Sequence, residues 1–115
     1  MIRIKRIYDK PEKGDGVRIL VDRLWPRGVS KATAQVDLWS KDVAPSPELR
    51  VWFSHDPKKF ERFKKLYVEE LKEKEDALEK IKQTGKAKNA TLLYAARDPK
   101  CNHALVLCEY LNKIR

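Results

Sequence analysis

Two short polar clusters contain the side chains of this sequence that are best suited to chemistry, and each follows an apolar run. The first cluster comprises Asp22, Arg23, Trp25 and Arg27. The second comprises Arg97, Asp98, Asn102 and His103. Guanidinium groups bind phosphates and carboxylates through paired hydrogen bonds, and an indole offers a flat face to a ligand ring. These residue types predict a site for an anionic small molecule, with a nucleotide among the candidates.

Arg97 is the central anion-binding candidate. Together with Arg23 or Arg27 it would supply bidentate donors to a phosphate or carboxylate. The alternative is structural, because Arg97 could instead pair with Asp98 or Asp22. In that case the arginines would stabilise the fold and bind no ligand.

Asn102 stands where a helix is predicted to begin, and asparagine is a favoured N-cap residue. The first free amides of that helix, on Ala104 and Leu105, would then point at a ligand or at the Asn102 side chain itself. Asn102 is therefore a candidate ligand-binding residue, and the alternative is that it only caps the helix.

His103 and Asp22 are the candidate acid–base residues. An unperturbed imidazole titrates near neutrality, as a general acid or base requires. Asp22 is the only carboxylate that ends a predicted buried strand, and Asp98 is its candidate partner. A histidine in the first turn of a helix can also simply pack, and Asp22 can form a structural salt bridge with an arginine.

The cysteines predict neither a metal site nor an activated nucleophile. Cys101 precedes a helix start, where thiolates are stabilised, but Leu107 stands six residues later, where a phosphatase-like phosphate loop needs arginine. With His55, His103 and Cys108 it forms no recognised metal spacing. No glycine-rich phosphate loop is present. We therefore expect no metal and no cofactor.

Charge supports a second hypothesis, that of a nucleic-acid accessory protein. The 115 residues carry a net charge of +9, and residues 1–31 contain nine Lys or Arg against four Asp or Glu. Positive charge favours phosphate partners in general. No helix-turn-helix, zinc or aromatic ribonucleoprotein motif accompanies it, so nucleic acid ranks second to a small anion. No apolar run approaches the ~18 residues of a membrane span, and we expect a cytoplasmic protein.

Hydrophobic spacing predicts strands interleaved with helices. Alternating or continuous apolar residues predict strands over residues 2–8, 17–24 and 91–96. A short helix is predicted within 30–45, another from Pro47 to Phe53, and a long one from Pro57. The long helix either breaks near Lys74 or continues, and Gly85 is its predicted end. The last helix is predicted from about His103 to Ile114.

These elements predict a single α/β domain over residues 1–115, with helices packed on a small sheet of three strands or slightly more. Only eight residues separate the first two strands, which is short for a parallel crossover. The sheet is therefore predicted to be either parallel or mixed. Ligands of open α/β sheets lie at the carboxyl ends of the strands, so both polar clusters would share one edge if their strands are parallel neighbours.

The segments "GVRILVDRLWPRG" and "NHALVL" resemble the YeaO-like branch of the domain of unknown function 488 family, and the similarity spans nearly the whole chain. The resemblance implies family motifs at Asp22, Arg23 and Trp25–Gly28 and at Asn102–Ala104, but it implies no activity. Broader relatives have Cys-His-Arg where this chain has Asn102, His103 and Ala104. A cysteine mechanism therefore does not carry over to this sequence.

Overall fold

The computed structural model describes residues 1–113, and four β-strands in this range form one parallel sheet. The strands are β1 (Ile2–Arg6), β2 (Val17–Leu20), β3 (Leu38–Trp39) and β4 (Ala90–Tyr94), in the spatial order β1-β4-β2-β3. In register, Leu92 of β4 lies opposite Ile4 on one side and Ile19 on the other. The predicted α/β class and sheet size are confirmed, and β1 is an edge strand as expected.

Five α-helices lie in the same described range. They are α1 (Lys31–Ala34), α2 (Pro47–Phe53), α3 (Phe60–Leu71), α4 (Glu75–Ala87) and α5 (His103–Lys113). Proline occupies the first position of α2, and the Ser46 hydroxyl accepts a hydrogen bond from the Leu49 amide at 3.2 Å. The N-cap and proline signals therefore identify the start of α2 correctly.

The larger core lies on one face of the sheet. Alternation along the strands places Ile19, Leu92 and Tyr94 on this face. The buried helical residues that pack with them include Phe63, Tyr67, Leu71, Leu78, Ile81, Leu107 and Leu111. Packing against this core fixes the position of α5 and therefore the position of its first residue, His103.

The opposite face of the sheet is smaller and partly polar. Leu20 and Leu93 pack there with Ile7. The connection from β1 to β2 contains Asp15, whose carbonyl accepts a hydrogen bond from the Thr91 hydroxyl at 2.7 Å. The Asp15 carboxylate also pairs with Lys5 and Arg18. This short connection contains only the 3-10 turn Lys13–Asp15, and it joins two parallel strands that lie on either side of β4.

Residues 30–45 do not form the single short helix that the sequence predicts. α1 ends at Ala34, residues 38–39 form β3, and Lys41–Val43 forms a 3-10 turn. Backbone hydrogen bonds to β2 decide the outcome: the Asp37 amide donates to the Arg18 carbonyl and the Ser40 amide to the Leu20 carbonyl, each at 2.8 Å. Pairing with an open sheet edge outweighs the weak helical spacing of this segment.

Several predicted boundaries also change. The strands end earlier than predicted, and Pro57–Lys59 forms a 3-10 turn before α3. The break near Lys74, one of the two alternatives, is confirmed by the separate helices α3 and α4. Gly85 does not end α4 but lies inside it, buried against Ile2, where an added Cβ would come within 2.6 Å. The predicted end of the last helix at Ile114 lies outside the described residues.

Candidate functional site

A cavity of about 590 Å³ opens at the carboxyl edge of the sheet, next to the ends of β2 and β4. These strands are parallel neighbours, so the chain segments that follow them leave the sheet side by side. Asp22 and Arg23 from the first polar cluster and Arg97, Asp98, Asn102 and His103 from the second line this one cavity. The structure thus brings most of the two clusters together.

Asp22 connects the ends of three strands. Its Oδ2 accepts a hydrogen bond from the Ala95 amide at 3.0 Å, just beyond β4. Its backbone carbonyl accepts a hydrogen bond from the Trp39 indole of β3 at 2.8 Å. The carboxylate therefore extends the hydrogen-bond ladder between β2 and β4 past the last paired residues. Asp22 stabilises the edge that forms the cavity wall.

His103 is fixed beside Asp22. Its Nε2 lies 3.1 Å from the Val21 carbonyl oxygen and 3.1 Å from Asp22 Oδ1. The geometry is that of a hydrogen bond only toward the Val21 carbonyl, and Asp22 Oδ1 is buried without a hydrogen-bond partner in residues 1–113. Tyr67 packs against the imidazole in an edge-to-face contact at 6.2 Å. The candidate acid and base are therefore adjacent, and the ring is held in one orientation.

Three arginines border the cavity without a carboxylate partner. Arg23 is half-buried and Arg50 and Arg97 are exposed, and none of the three forms a salt bridge within the described residues. Arg23 donates from Nη2 to the Pro45 carbonyl at 3.2 Å, while its Nε is buried and unpartnered. The alternative that Arg97 pairs with Asp98 or Asp22 is not observed.

The two acids at the cavity bind backbone amides instead. Oδ1 of Asp98 accepts hydrogen bonds from the amides of Lys100 and Cys101 at 2.8 and 3.2 Å, in the turn before α5. Asp22 accepts from Ala95, as described above. Both carboxylates are therefore hydrogen-bonded to loop amides, and within the described residues neither forms an ion pair with Arg23, Arg50 or Arg97.

Asn102 caps α5, as its structural alternative requires. Its Oδ1 accepts from the Leu105 amide at 2.8 Å and its Nδ2 donates to the Asp98 carbonyl at 2.9 Å. The residue is 1% exposed. Its side chain positions the helix start at the cavity, and a direct role in ligand binding stays a prediction.

Trp25 and Arg27 do not line the cavity. The Trp25 indole donates to the Val29 carbonyl at 2.7 Å and packs against Trp39, with ring centroids 5.4 Å apart. Arg27 is exposed, and its carbonyl accepts a hydrogen bond from the Tyr8 hydroxyl at 3.2 Å. The ligand-binding roles predicted for these two residues gain no support from the geometry of the cavity.

Arg50 and His55 also line the cavity, and neither belongs to the two polar clusters. Arg50 lies on α2 and His55 just after it, with a left-handed backbone conformation at φ 58°. Arg50 stands three residues before the buried Phe53, so the two share a helix face. That spacing was readable in the sequence, but the contact of α2 with the sheet edge was not.

Cys101 lacks the features of an activated thiol. Burial, followed by the negative charge of Asp98, raises the pKa of this thiol above its usual value. The described residues contain no group of three or more His, Cys, Asp or Glu that could hold a metal ion. None of the described helices is long and apolar enough to cross a membrane.

Comparisons with known proteins agree with the resemblance read from the sequence. A family model described as the inactive DUF488-N3 subclade matches residues 1–114. The uncharacterized protein YeaO of Escherichia coli K12 is 42% identical to this chain, over 98% of both proteins. The uncharacterized protein Rv3073c of Mycobacterium tuberculosis H37Rv is 42% identical over 96% of this chain and 93% of its own length. No solved structure shows significant similarity.

Proposed function

Because the chain belongs to the inactive DUF488-N3 subclade, we propose that it binds an anionic small molecule in the cavity without converting it. The ligand carries a phosphate-type or carboxylate group and a compact apolar or ring-shaped body. The family description favours binding over catalysis, and the raised pKa of the Cys101 thiol argues against a thiolate nucleophile. Roles of His103 and Asp22 in acid–base chemistry stay predictions.

The observation that carries this proposal is the set of three unpaired guanidinium groups around one cavity. Arg23, Arg50 and Arg97 come from three separate chain segments, and all three line the cavity. A half-buried arginine without a carboxylate loses hydration and gains no ion pair in return. An anionic ligand would compensate for that loss through charge-assisted hydrogen bonds, each contributing about 1.5–3 kcal/mol.

The remaining wall of the cavity is mostly apolar and indicates the body of the ligand. Ala95 and Ala96 are small and leave space, and Leu24 is 63% exposed at the same cavity. Small-molecule sites commonly combine such apolar walls with a few polar groups, in volumes of roughly 300–1,000 Å³. The cavity falls within that range. A bare inorganic ion would leave this apolar surface uncovered.

The test is calorimetric titration of phenylphosphonate, which joins one acidic group to one ring, into the wild-type protein and two variants. Arg97→Gln removes an exposed cavity arginine and should weaken binding roughly tenfold, the equivalent of one charge-assisted hydrogen bond. Arg27→Gln is the matched control, because it removes the same charge from an exposed position outside the cavity. Absence of binding, or equal weakening by both substitutions, would contradict the proposal.

The nucleic-acid hypothesis stays a prediction that the same variants address. Binding to a phosphate backbone depends steeply on salt and on total positive charge. Arg27→Gln and Arg97→Gln should then weaken it to similar extents. A selective effect of Arg97→Gln on a small anion favours the cavity.

A further inference from the structure

We propose that His103 selects the protonation state of the ligand: its Nδ1 accepts a hydrogen bond from an acidic hydroxyl, so the site prefers phosphate-type anions that retain a proton over sulfate-type anions that have none. This inference rests on the proposed binding of an anion in the cavity. It adds a specificity residue to that site and narrows the class of ligand.

The tautomer of His103 follows from its two neighbours. The Val21 carbonyl oxygen can only accept a hydrogen bond, so Nε2, which bonds to it at 3.1 Å, must carry a proton. Asp22 Oδ1, 3.1 Å from the same nitrogen, stabilises a proton there through its negative charge. In the neutral ring the other nitrogen, Nδ1, then has a lone pair and can only accept.

Nδ1 is available to a ligand. Within residues 1–113 it has no hydrogen-bond partner, and it is not among the completely buried unpartnered atoms. The His103 side chain is 16% exposed and borders the cavity. The ring is held by Val21 and Tyr67 and cannot easily turn a donor toward the ligand.

This acceptor lies in a cavity whose other charged side chains are mainly donors. Arg23, Arg50 and Arg97 offer only N–H groups. Next to the neutral imidazole, a fully ionised anion would satisfy the arginines but would direct an oxygen lone pair at the lone pair of Nδ1. An anion that retains one hydroxyl satisfies both, because its ionised oxygens face the arginines while the hydroxyl donates to His103.

Two other side chains that line the cavity, those of Asp98 and His55, could accept a hydrogen bond from a ligand. Oδ1 of Asp98 already accepts from two backbone amides, and the second oxygen of Asp98 makes no hydrogen bond within the described residues. The variant Asp98→Asn retains an oxygen for those amides and removes the negative charge. It therefore separates a contribution of Asp98 from one of His103.

The experiment compares phenylphosphonate with benzenesulfonate near neutral pH. Both join a ring to a tetrahedral acid group, but near neutrality only the phosphonate retains a hydroxyl on a large fraction of its molecules. We expect the wild type to prefer phenylphosphonate by roughly tenfold, the size of one hydrogen bond. His103→Phe keeps the ring shape and should abolish the preference, whereas Asp98→Asn and His55→Asn should retain it.

Long-range ¹H–¹⁵N spectra of the wild-type imidazoles provide a second readout that requires no variant to fold. They should show His103 as the Nε2–H tautomer, and the Nδ1 resonance should shift on addition of phenylphosphonate. Equal affinity for both anions, loss of the preference in Asp98→Asn alone, or an Nδ1–H tautomer would overturn the inference while leaving anion binding intact. Failure of both anions to bind would overturn the proposed function as well.

Discussion

The backbone N–H of Ala95 donates a hydrogen bond to Oδ2 of Asp22 at 3.0 Å, and this contact joins the segments that follow β4 and β2. The Val21 amide also donates to the Leu93 carbonyl at 3.1 Å, one step earlier along the same ladder. A side chain therefore takes over where the backbone ladder ends. The two polar clusters form one cavity because this contact keeps their chain segments adjacent.

Asp22→Ala is predicted to destabilise the protein by about 1 kcal/mol, the lower end of the cost of leaving a donor unpaired, because the donor is only partly buried. The unpaired group would be the Ala95 amide, and the change would also remove the charge beside His103. Urea denaturation monitored by circular dichroism measures the loss. Asp9→Ala, at an exposed position before β2, is the control and should change stability by less than about 0.5 kcal/mol. Equal losses in the two variants would show that Asp22 does not stabilise this edge.

Asn102→Ala is predicted to cost about 1–2 kcal/mol, because α5 would lose its N-cap. The Leu105 amide would lose its acceptor and the Asp98 carbonyl its donor. Asn102→Ser keeps a neutral side-chain acceptor for the Leu105 amide and places no second acceptor against the Asp98 carbonyl, so its loss of unfolding free energy should be smaller in the same urea titrations. If both variants lost equal stability, the cap itself would not be the source of the effect.

Local sequence patterns are sufficient to predict Asp22 and His103 as candidate site residues. Asp22 and His103 were identified because polar residues directly follow buried strands or precede an apolar helix, a pattern that needs no tertiary information. The two clusters share one cavity only because β2 and β4 are parallel neighbours. Local spacing does not predict which strands are neighbours. The type of residue alone does not assign a role to Asn102, because an asparagine side chain suits both helix capping and ligand binding.

The features that the sequence does not predict arise from contacts between distant segments. The binding of a ligand ring by Trp25 stays a prediction, and in the structure the Trp25 ring packs against Trp39, which lies on a two-residue strand. A strand that short has almost no periodicity, so neither β3 nor the contact between Trp25 and Trp39 can be predicted from residue spacing. Arg50 was missed because the docking of α2 at the sheet edge depends on the core and not on the sequence of α2.

Asp15→Asn is predicted to destabilise the protein and to reduce its sensitivity to acid. Burial raises the pKa of the Asp15 carboxyl, but hydrogen bonds from the Glu12 amide and from Lys5 and Arg18 outweigh burial, and the pKa lies below its usual value of 3.8. A lowered pKa stabilises the folded protein at pH values above the pKa of the unfolded chain, about 3.9. This stabilisation is lost as the pH falls through the pKa of Asp15 in the folded protein. Wild type should therefore lose stability below about pH 4 more steeply than the variant.

Near neutral pH, Asp15→Asn should lower the free energy of unfolding by about 3 kcal/mol, the lower end of the cost of breaking a buried ion pair. Arg18 keeps two hydrogen bonds to the Ala34 carbonyl, at 3.0 and 2.8 Å, which moderates the loss. Glu12→Gln is the matched control: Glu12 pairs with the same Lys5, but its side chain is 70% exposed. That change should cost less than about 1 kcal/mol. Urea titrations between about pH 7 and pH 3 decide whether the acid sensitivity belongs to Asp15.

Gly85→Ala is predicted to destabilise the protein by about 1 kcal/mol, although the same change in an exposed helix interior usually stabilises by a similar amount. The new methyl group would lie 2.6 Å from Ile2 Cγ1 and 3.0 Å from Ile2 Cδ1, so α4 or β1 would have to move. Ile2→Ala removes both of these carbons. In that background Gly85→Ala should be neutral or stabilising, which a double-mutant cycle of unfolding free energies measures directly. If Gly85→Ala costs the same with and without Ile2, the close approach of α4 to β1 is not what requires glycine at this position.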